Sequence, residues 1–187
     1  HVIQWLLHQS CGEGHRESNC EQTIPRVVIQ YWHDLDNLPE DVAECLQSWK
    51  QLTPDGFTVQ LFDDVQARCF IKENYDPKYV VAFDRCYHPA MRCDYFRMCY
   101  IYACGGFYVD ADEVYRGAGC AELFSDGKLK LQPLCYDTST QQMVEPDDFL
   151  NDADFPSSRI FYVNNNPIVA PPGHQLLRLA LSRSTEI

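Results

Sequence analysis

Ala90-Met91-Arg92-Cys93-Asp94-Tyr95-Phe96-Arg97-Met98-Cys99-Tyr100-Ile101-Tyr102-Ala103-Cys104, followed at once by Gly105-Gly106-Phe107-Tyr108-Val109-Asp110-Ala111-Asp112, is the stretch on which the reading of the whole chain turns. Twelve of the first fifteen residues are apolar, and the three exceptions are Arg92, Asp94 and Arg97. That composition predicts a buried helix from His88 to Cys104, ended by the Gly105-Gly106 stop. Asp94 and Arg97 lie three apart and share a face, whereas Arg92 is turned about 200° from Asp94 at about 100° per residue. Two readings of the pair stay open: a structural ion pair, or two groups aimed into a cleft. After the glycines, Phe107 to Asp112 alternates as a strand does, with Tyr108, Asp110 and Asp112 on one face. On a strand the Cα atoms of the two aspartates would stand about 6.6 Å apart at about 3.3 Å per residue. One hard cation could then span them together with waters and phosphate oxygens, which suits Mg²⁺ or Mn²⁺ better than zinc. A bare D-x-D is weak, since Asp152-Ala153-Asp154 repeats it by chance. An EF-hand is excluded because Val114, Tyr115 and Ala121 stand where ligands and a glycine are needed.

Upstream, Val27 to Trp32 is β-branched and aromatic after Ile24-Pro25, as in a buried strand. Pro39 to Leu52 has helical apolar spacing, Phe57 to Phe62 alternates, and Asp63-Asp64 opens a helix toward Ile71. Strand and helix in turn are the rhythm of an α/β sheet. Pro77 to Phe83 is apolar and ambiguous. Downstream of Gly117-Ala118-Gly119 the pattern fades into an acidic stretch that reads as an insertion or a lid-like surface loop. Order returns at Ile160 to Val163, breaks at Asn164-Asn165-Asn166-Pro167 and resumes from Ile168 to Ala170. His174 starts a last helix to about Arg183.

The chain has 187 residues, enough for one domain with its own core. Its net charge of −12 argues against a general basic field for nucleic acid or anionic membrane. The run Val2 to Leu7 is too short to cross a bilayer and has no cationic flank, and a chain beginning at His1 reads as processed or excised. Ten cysteines without a C-x-x-C pair fit either buried small hydrophobes or a few lumenal disulfides. There is no N-x-S/T sequon, and the compartment is left open between a secretory lumen and the cytoplasm.

The block Arg92-Cys93-Asp94-Tyr95-Phe96-Arg97 with Cys104-Gly105-Gly106-Phe107-Tyr108-Val109-Asp110-Ala111-Asp112 resembles the R-x-D-x-x-R and G-G-x-Y-x-D-x-D block of the DXD-containing, sugar-transferring glycosyltransferases. That superfamily includes Och1-like mannosyltransferases, α-1,4-galactosyl- and N-acetylglucosaminyltransferases and, more distantly, the clostridial glucosylating toxins. Ile24 to Trp32 is similar to the family's opening strand, and Asn165-Asn166-Pro167 through Gly173-His174 to a later segment. The resemblance implies a GT-A-like, Rossmann-related α/β domain with a mixed central sheet over residues 24–187, after an irregular lead-in over 1–23 and without the usual C-terminal completion. It implies that Asp110 and Asp112 hold Mn²⁺ or Mg²⁺ and the donor diphosphate beside Tyr108. Asp94 and Arg97 would then contact the donor sugar. Tyr31 and Trp32 fall to the donor as well, with Trp32 stacking on the base, although Trp32 also reads as a core residue. Asn165 and Asn166 fall near sugar or acceptor, where an Asn-Pro turn explains them equally well. His174 reads as a helix start, and Ile29 replaces a family histidine.

The function so implied is metal-dependent, retaining transfer of a sugar from a UDP-sugar or GDP-mannose to a glycan, glycolipid or protein hydroxyl. A non-catalytic sugar-nucleotide or carbohydrate-binding remnant is one alternative. A two-carboxylate glycoside hydrolase is a weaker one, because Asp110 and Asp112 leave one short strand in one direction and do not flank a bond.

Overall fold

A computed structural model describes residues 23–117, 119–150 and 156–186. Apart from Thr23 the expected lead-in lies outside the described residues, as do Asp152 and Asp154. The elements run β1 (Val27–Tyr31), α1 (Glu40–Trp49), a 3₁₀ turn (Lys50–Asp55), β2 (Thr58–Phe62), α2 (Asp64–Asn74), α3 (Pro77–Arg85), α4 (Pro89–Cys104) and β3 (Gly106–Tyr108). A second 3₁₀ turn (Ala121–Phe124) leads to β4 (Lys130–Asp137), β5 (Gln142–Val144), α5 (Pro146–Leu150), β6 (Arg159–Ala170) and α6 (Gln175–Thr185). These strands make one mixed sheet in the order β2-β1-β3-β6-β4-β5. β1 is parallel to both β2 and β3, and β6 is antiparallel to β3 and β4.

β1 leads first to β2 on one side of it and later to β3 on the other. Strand order therefore reverses between β1 and β3, and a crevice opens beyond their carboxyl ends, where open α/β sheets bind ligands. The alternation of β1 and β3 sorts two cores. Ile29, Tyr31, Tyr108 and Ile168 pack beneath the sheet against Phe96, Cys99, Tyr100 and Ile101 of α4 and Leu177 and Leu181 of α6. Val28, Phe107, Val109 and Val169 pack on the other face with Trp49, Leu52 and Phe57. Each large side chain buried in this way contributes about 1.5–3 kcal/mol.

α4 begins where the sequence places it. The His88 imidazole caps the helix by accepting from the Ala90 N–H at 3.1 Å, and Pro89 supplies the preset φ of a first helical residue. At the other end Gly105 (φ 69°) and Gly106 (φ 113°) turn the chain straight into β3. A Cβ on Gly106 would stand 2.9 Å from both the Val27 carbonyl oxygen and Ile29 Cδ1, so Gly106→Ala meets backbone as well as forbidden φ. It is expected to cost about 2–4 kcal/mol, read as a fall in melting temperature.

Four sequence expectations change. β3 ends at Tyr108, so Asp110 and Asp112 sit in a turn closed by the Glu113 N–H on the Asp110 carbonyl (3.2 Å), not on a strand. The ambiguous stretch after Pro77 is helix α3. The stretch expected to be a lid-like loop carries β4, β5 and α5. β4 was masked by Pro133, which precedes the residues that β5 pairs with and so occupies a strand position that tolerates proline. Finally, β6 does not break at Asn164-Asn165-Asn166-Pro167. It continues, with these residues absorbed in a bulge where Leu131 pairs Ile168 and Gln132 pairs Asn164. Of the eight cysteines of the described residues, Cys99, Cys120 and Cys135 are buried, which favours the small-hydrophobe reading there.

Candidate active site

Arg97 is the centre of the site. It is 4 % exposed, held by α4, and its guanidinium reaches Asp110 Oδ1 at 2.9 Å and Asp94 Oδ1 at 3.0 Å. Its other terminal nitrogen donates to the Asn165 carbonyl at 3.0 Å and to Asn165 Oδ1 at 3.3 Å. The plane lies 4.5 Å from the centre of the Tyr108 ring, a cation–π contact beneath the sheet. A side chain so enclosed arranges carboxylates. The expectation that Arg97 itself contacts the sugar therefore becomes an expectation about Asp94, whose carboxylate is half exposed and steadied by Asn165 Nδ2 at 3.1 Å.

Asp110 is the more enclosed carboxylate. Its Oδ1 also accepts from the Tyr108 hydroxyl at 3.1 Å, while among the described residues Oδ2 accepts no hydrogen bond. Burial pushes its carboxyl above the ordinary value, Arg97 and the Tyr108 hydroxyl pull it down, and Asp112 and Asp94 push it up again. Tyr108 and Cys93 are also pushed up, first of all by burial, so both are neutral at physiological pH. Asp112 is exposed, and its backbone carbonyl is held by the Cys45 thiol at 3.3 Å.

The donor set suits a hard divalent cation. Asp110 and Asp112 supply carboxylate oxygens on one turn, near enough for Asp112 to act on the charge of Asp110, and Mg²⁺ or Mn²⁺ favours such ligands. Among the described residues no group of three His, Cys, Asp or Glu side chains is spaced for a metal, so an ion here would complete its shell with phosphate and water.

Trp32 lies beside this turn, packed with Leu38 and Leu61 against a cluster that contains Ala111, the middle residue of the acidic motif. It is half buried, and its Nε1 is covered without a hydrogen-bond partner among the described residues. Tyr31 is a correction. The alternation of β1 turns it to the opposite face, where it is 3 % exposed, packs on Phe96 and donates its hydroxyl to Asp64. Arg92 reaches the same Asp64 oxygen at 2.9 Å, so Tyr31, Asp64 and Arg92 form a brace of α2 and α4 away from the acidic turn. Asn166 is 9 % exposed, with its Oδ1 accepting the Asp110 N–H at 2.9 Å, and it holds the turn from β6. His174 caps α6 by accepting from the Leu176 N–H.

Sequence reasoning missed Cys93, which contacts Tyr108 (2.8 Å) and Arg97 (3.2 Å), and Gln30. Cys93 precedes Arg97 by one helical turn, a spacing that placed it on the same face. Gln30 was the polar residue in an apolar strand.

A six-stranded mixed sheet with an acidic turn at its switch point is consistent with a GT-A-like fold. Residues 39–117 match the family described as the glycosyltransferase sugar-binding region containing the DXD motif. The chain is 27% identical over 94 residues to an uncharacterized glycosyltransferase, L373, of Acanthamoeba polyphaga mimivirus. It is 33% identical over 93 residues to inositol phosphoceramide mannosyltransferase 2 of Schizosaccharomyces pombe. Each match covers 50% of this chain, but only 37% and 26% of those proteins. The PaToxG glycosyltransferase shares the fold with a TM-score of 0.54 at 11% identity, over 88% of this chain and 61% of that one. The match to the DXD-containing glycosyltransferases extends over less than half of the chain.

Proposed function

We propose that this chain carries the donor site of a metal-dependent glycosyltransferase that moves a sugar from a nucleoside diphosphate to an acceptor hydroxyl. The observation that carries the reading is the pairing of Asp94 and Asp110 with one buried arginine at the carboxyl end of β3, with Asp112 two residues further along the same turn, inside the matched region. Asp112 and Asp110 would hold Mn²⁺ or Mg²⁺, which when bound neutralises charge on the diphosphate. Asp94, steadied by Arg97 and Asn165, is placed to accept hydrogen bonds from sugar hydroxyls. Trp32, packed against Val42, Leu46 and Ala111, borders the turn where a base would stack.

In the reaction the bond between the anomeric carbon and the phosphate oxygen breaks, and its electron pair leaves with the nucleoside diphosphate. The acceptor oxygen forms the new bond to that carbon, and its proton goes to the departing diphosphate. Retention of configuration belongs to the same reading and rests on the family resemblance. The enclosed environment of Asp110 favours fixed charges over solvent reorganisation, which is where such sites gain rate.

The test is a panel of UDP- and GDP-sugars with Mn²⁺, read as nucleoside diphosphate release with and without acceptors. Mannose donors and an inositol phosphoceramide acceptor head the panel because one relative is named an inositol phosphoceramide mannosyltransferase. Metal-dependent release of one nucleotide class supports the reading, and donor binding without turnover would instead favour the sugar-nucleotide-binding alternative.

A further inference from the structure

We infer that Gln30 is a positioning residue of this site, setting the direction in which the acidic turn leaves the sheet; the inference rests on the proposed role of Asp110 and Asp112. Gln30 lies in the middle of the sheet on β1 and is 0 % exposed, so it touches no ligand. A buried amide costs free energy unless its polar atoms are satisfied, and an aliphatic side chain would pack there more cheaply. Gln30 Oε1 is in fact covered and without a partner among the described residues. Its Nε2 makes one bond, to the Asp110 carbonyl at 3.4 Å.

That bond falls where the backbone ladder stops. The last regular link between β1 and the chain after β3 is the Val109 N–H on the Ile29 carbonyl at 3.1 Å. One residue further, a side chain of β1 takes over from its backbone. From the opposite neighbour, β6, Asn166 Oδ1 receives the Asp110 N–H at 2.9 Å. The Asp110 residue is thus gripped at its N–H and at its carbonyl by two buried amides. Beyond it α1 fastens the rest of the turn. Cys45 donates to the Asp112 carbonyl at 3.3 Å, and Trp49 Nε1 donates to that of Glu113 at 2.7 Å. Ser48 Oγ accepts the Tyr115 N–H at 2.8 Å. The Gln30 and Asn166 contacts hold the first carboxylate of the pair, and the α1 contacts begin at the second. Groups that orient ligating side chains without touching the ion change metal affinity by about 10–100-fold when lost.

The test uses the full chain with Gln30→Met and Gln30→Leu, both of which remove the donor and keep an apolar side chain of similar bulk in the sheet. Mn²⁺ alone is titrated and followed by electron paramagnetic resonance, and amide hydrogen exchange of residues 109–113 is measured without metal. Both variants are expected to bind Mn²⁺ about tenfold or more weakly per folded molecule, with faster exchange confined to the turn. Exchange at the wild-type rate overturns the inference, and so does faster exchange with unchanged Mn²⁺ affinity, which marks a merely structural contact. If neither variant folds, Gln30 is a stability residue and the inference also falls. Failure of the wild-type chain to bind Mn²⁺ would instead overturn the metal reading, and the exchange rates of the variants would still decide the grip on Asp110.

Discussion

Asp110→Asn and Asp112→Asn are each expected to lower metal-dependent nucleoside diphosphate release by about a hundredfold or more, since removing one group that stabilises charge at a leaving site typically costs that much. Both variants should fold. Asp112 is exposed, and an amide at position 110 can still accept from Tyr108 and Arg97 through its oxygen. Near-native, metal-dependent release by both would show that the acidic turn is not the donor site. Because burial raises the Asp110 carboxyl of the metal-free protein, Mn²⁺ binding should begin to weaken, as pH falls, above the range of an ordinary aspartate, which lies near pH 4. The stability effect has the opposite sense. A folded-state value raised above the unfolded one contributes most at low pH and is lost as pH rises through the folded-state value. The melting temperature of Asp110→Asn should therefore gain on that of the wild type as pH rises through this window, in a series of thermal melts.

The second large effect concerns Arg97. Arg97→Met leaves Asp110 without its neutralising partner in an enclosed place, which costs about 3 kcal/mol, the lower end for a broken buried pair because Asp110 is only partly covered. For a chain of this size that is roughly 6–12 °C in melting temperature. Asp94→Asn should cost less than about 1 kcal/mol, because Asp94 is half exposed and its ion pair is screened by water. Transfer by Asp94→Asn should nevertheless fall while the bare nucleoside diphosphate still binds with metal, since that ligand lacks the sugar. Adding Asp110→Asn to Arg97→Met should restore part of the lost stability, because the uncompensated carboxylate is gone. Equal destabilisation by Arg97→Met and Asp94→Asn would mean that the two act only as a structural pair.

Much of this was legible from local pattern. The run from Ala90 to Cys104 admitted three charges, and their 100° spacing separated Arg92 from Asp94 and Arg97 before any contact was known. In the fold Arg92 binds Asp64 and Arg97 binds Asp94. Gly105-Gly106 marked the turn into β3 because positive φ has few other tenants. Helix and strand periods, caps and glycine stops are properties of neighbouring residues, so the sequence by itself determined the α/β order, the buried helix and the acidic motif that follows it. What tertiary structure alone decided is how far the β3 ladder runs and what replaces it. That outcome depends on Gln30 and Asn166, which lie 80 and 56 residues from Asp110. No local period reports a hydrogen bond across such a separation. The same holds for Tyr31, which the motif put beside Trp32 and the pleat of β1 put on the other face, and for β4, whose proline is tolerated only because β5 pairs further along.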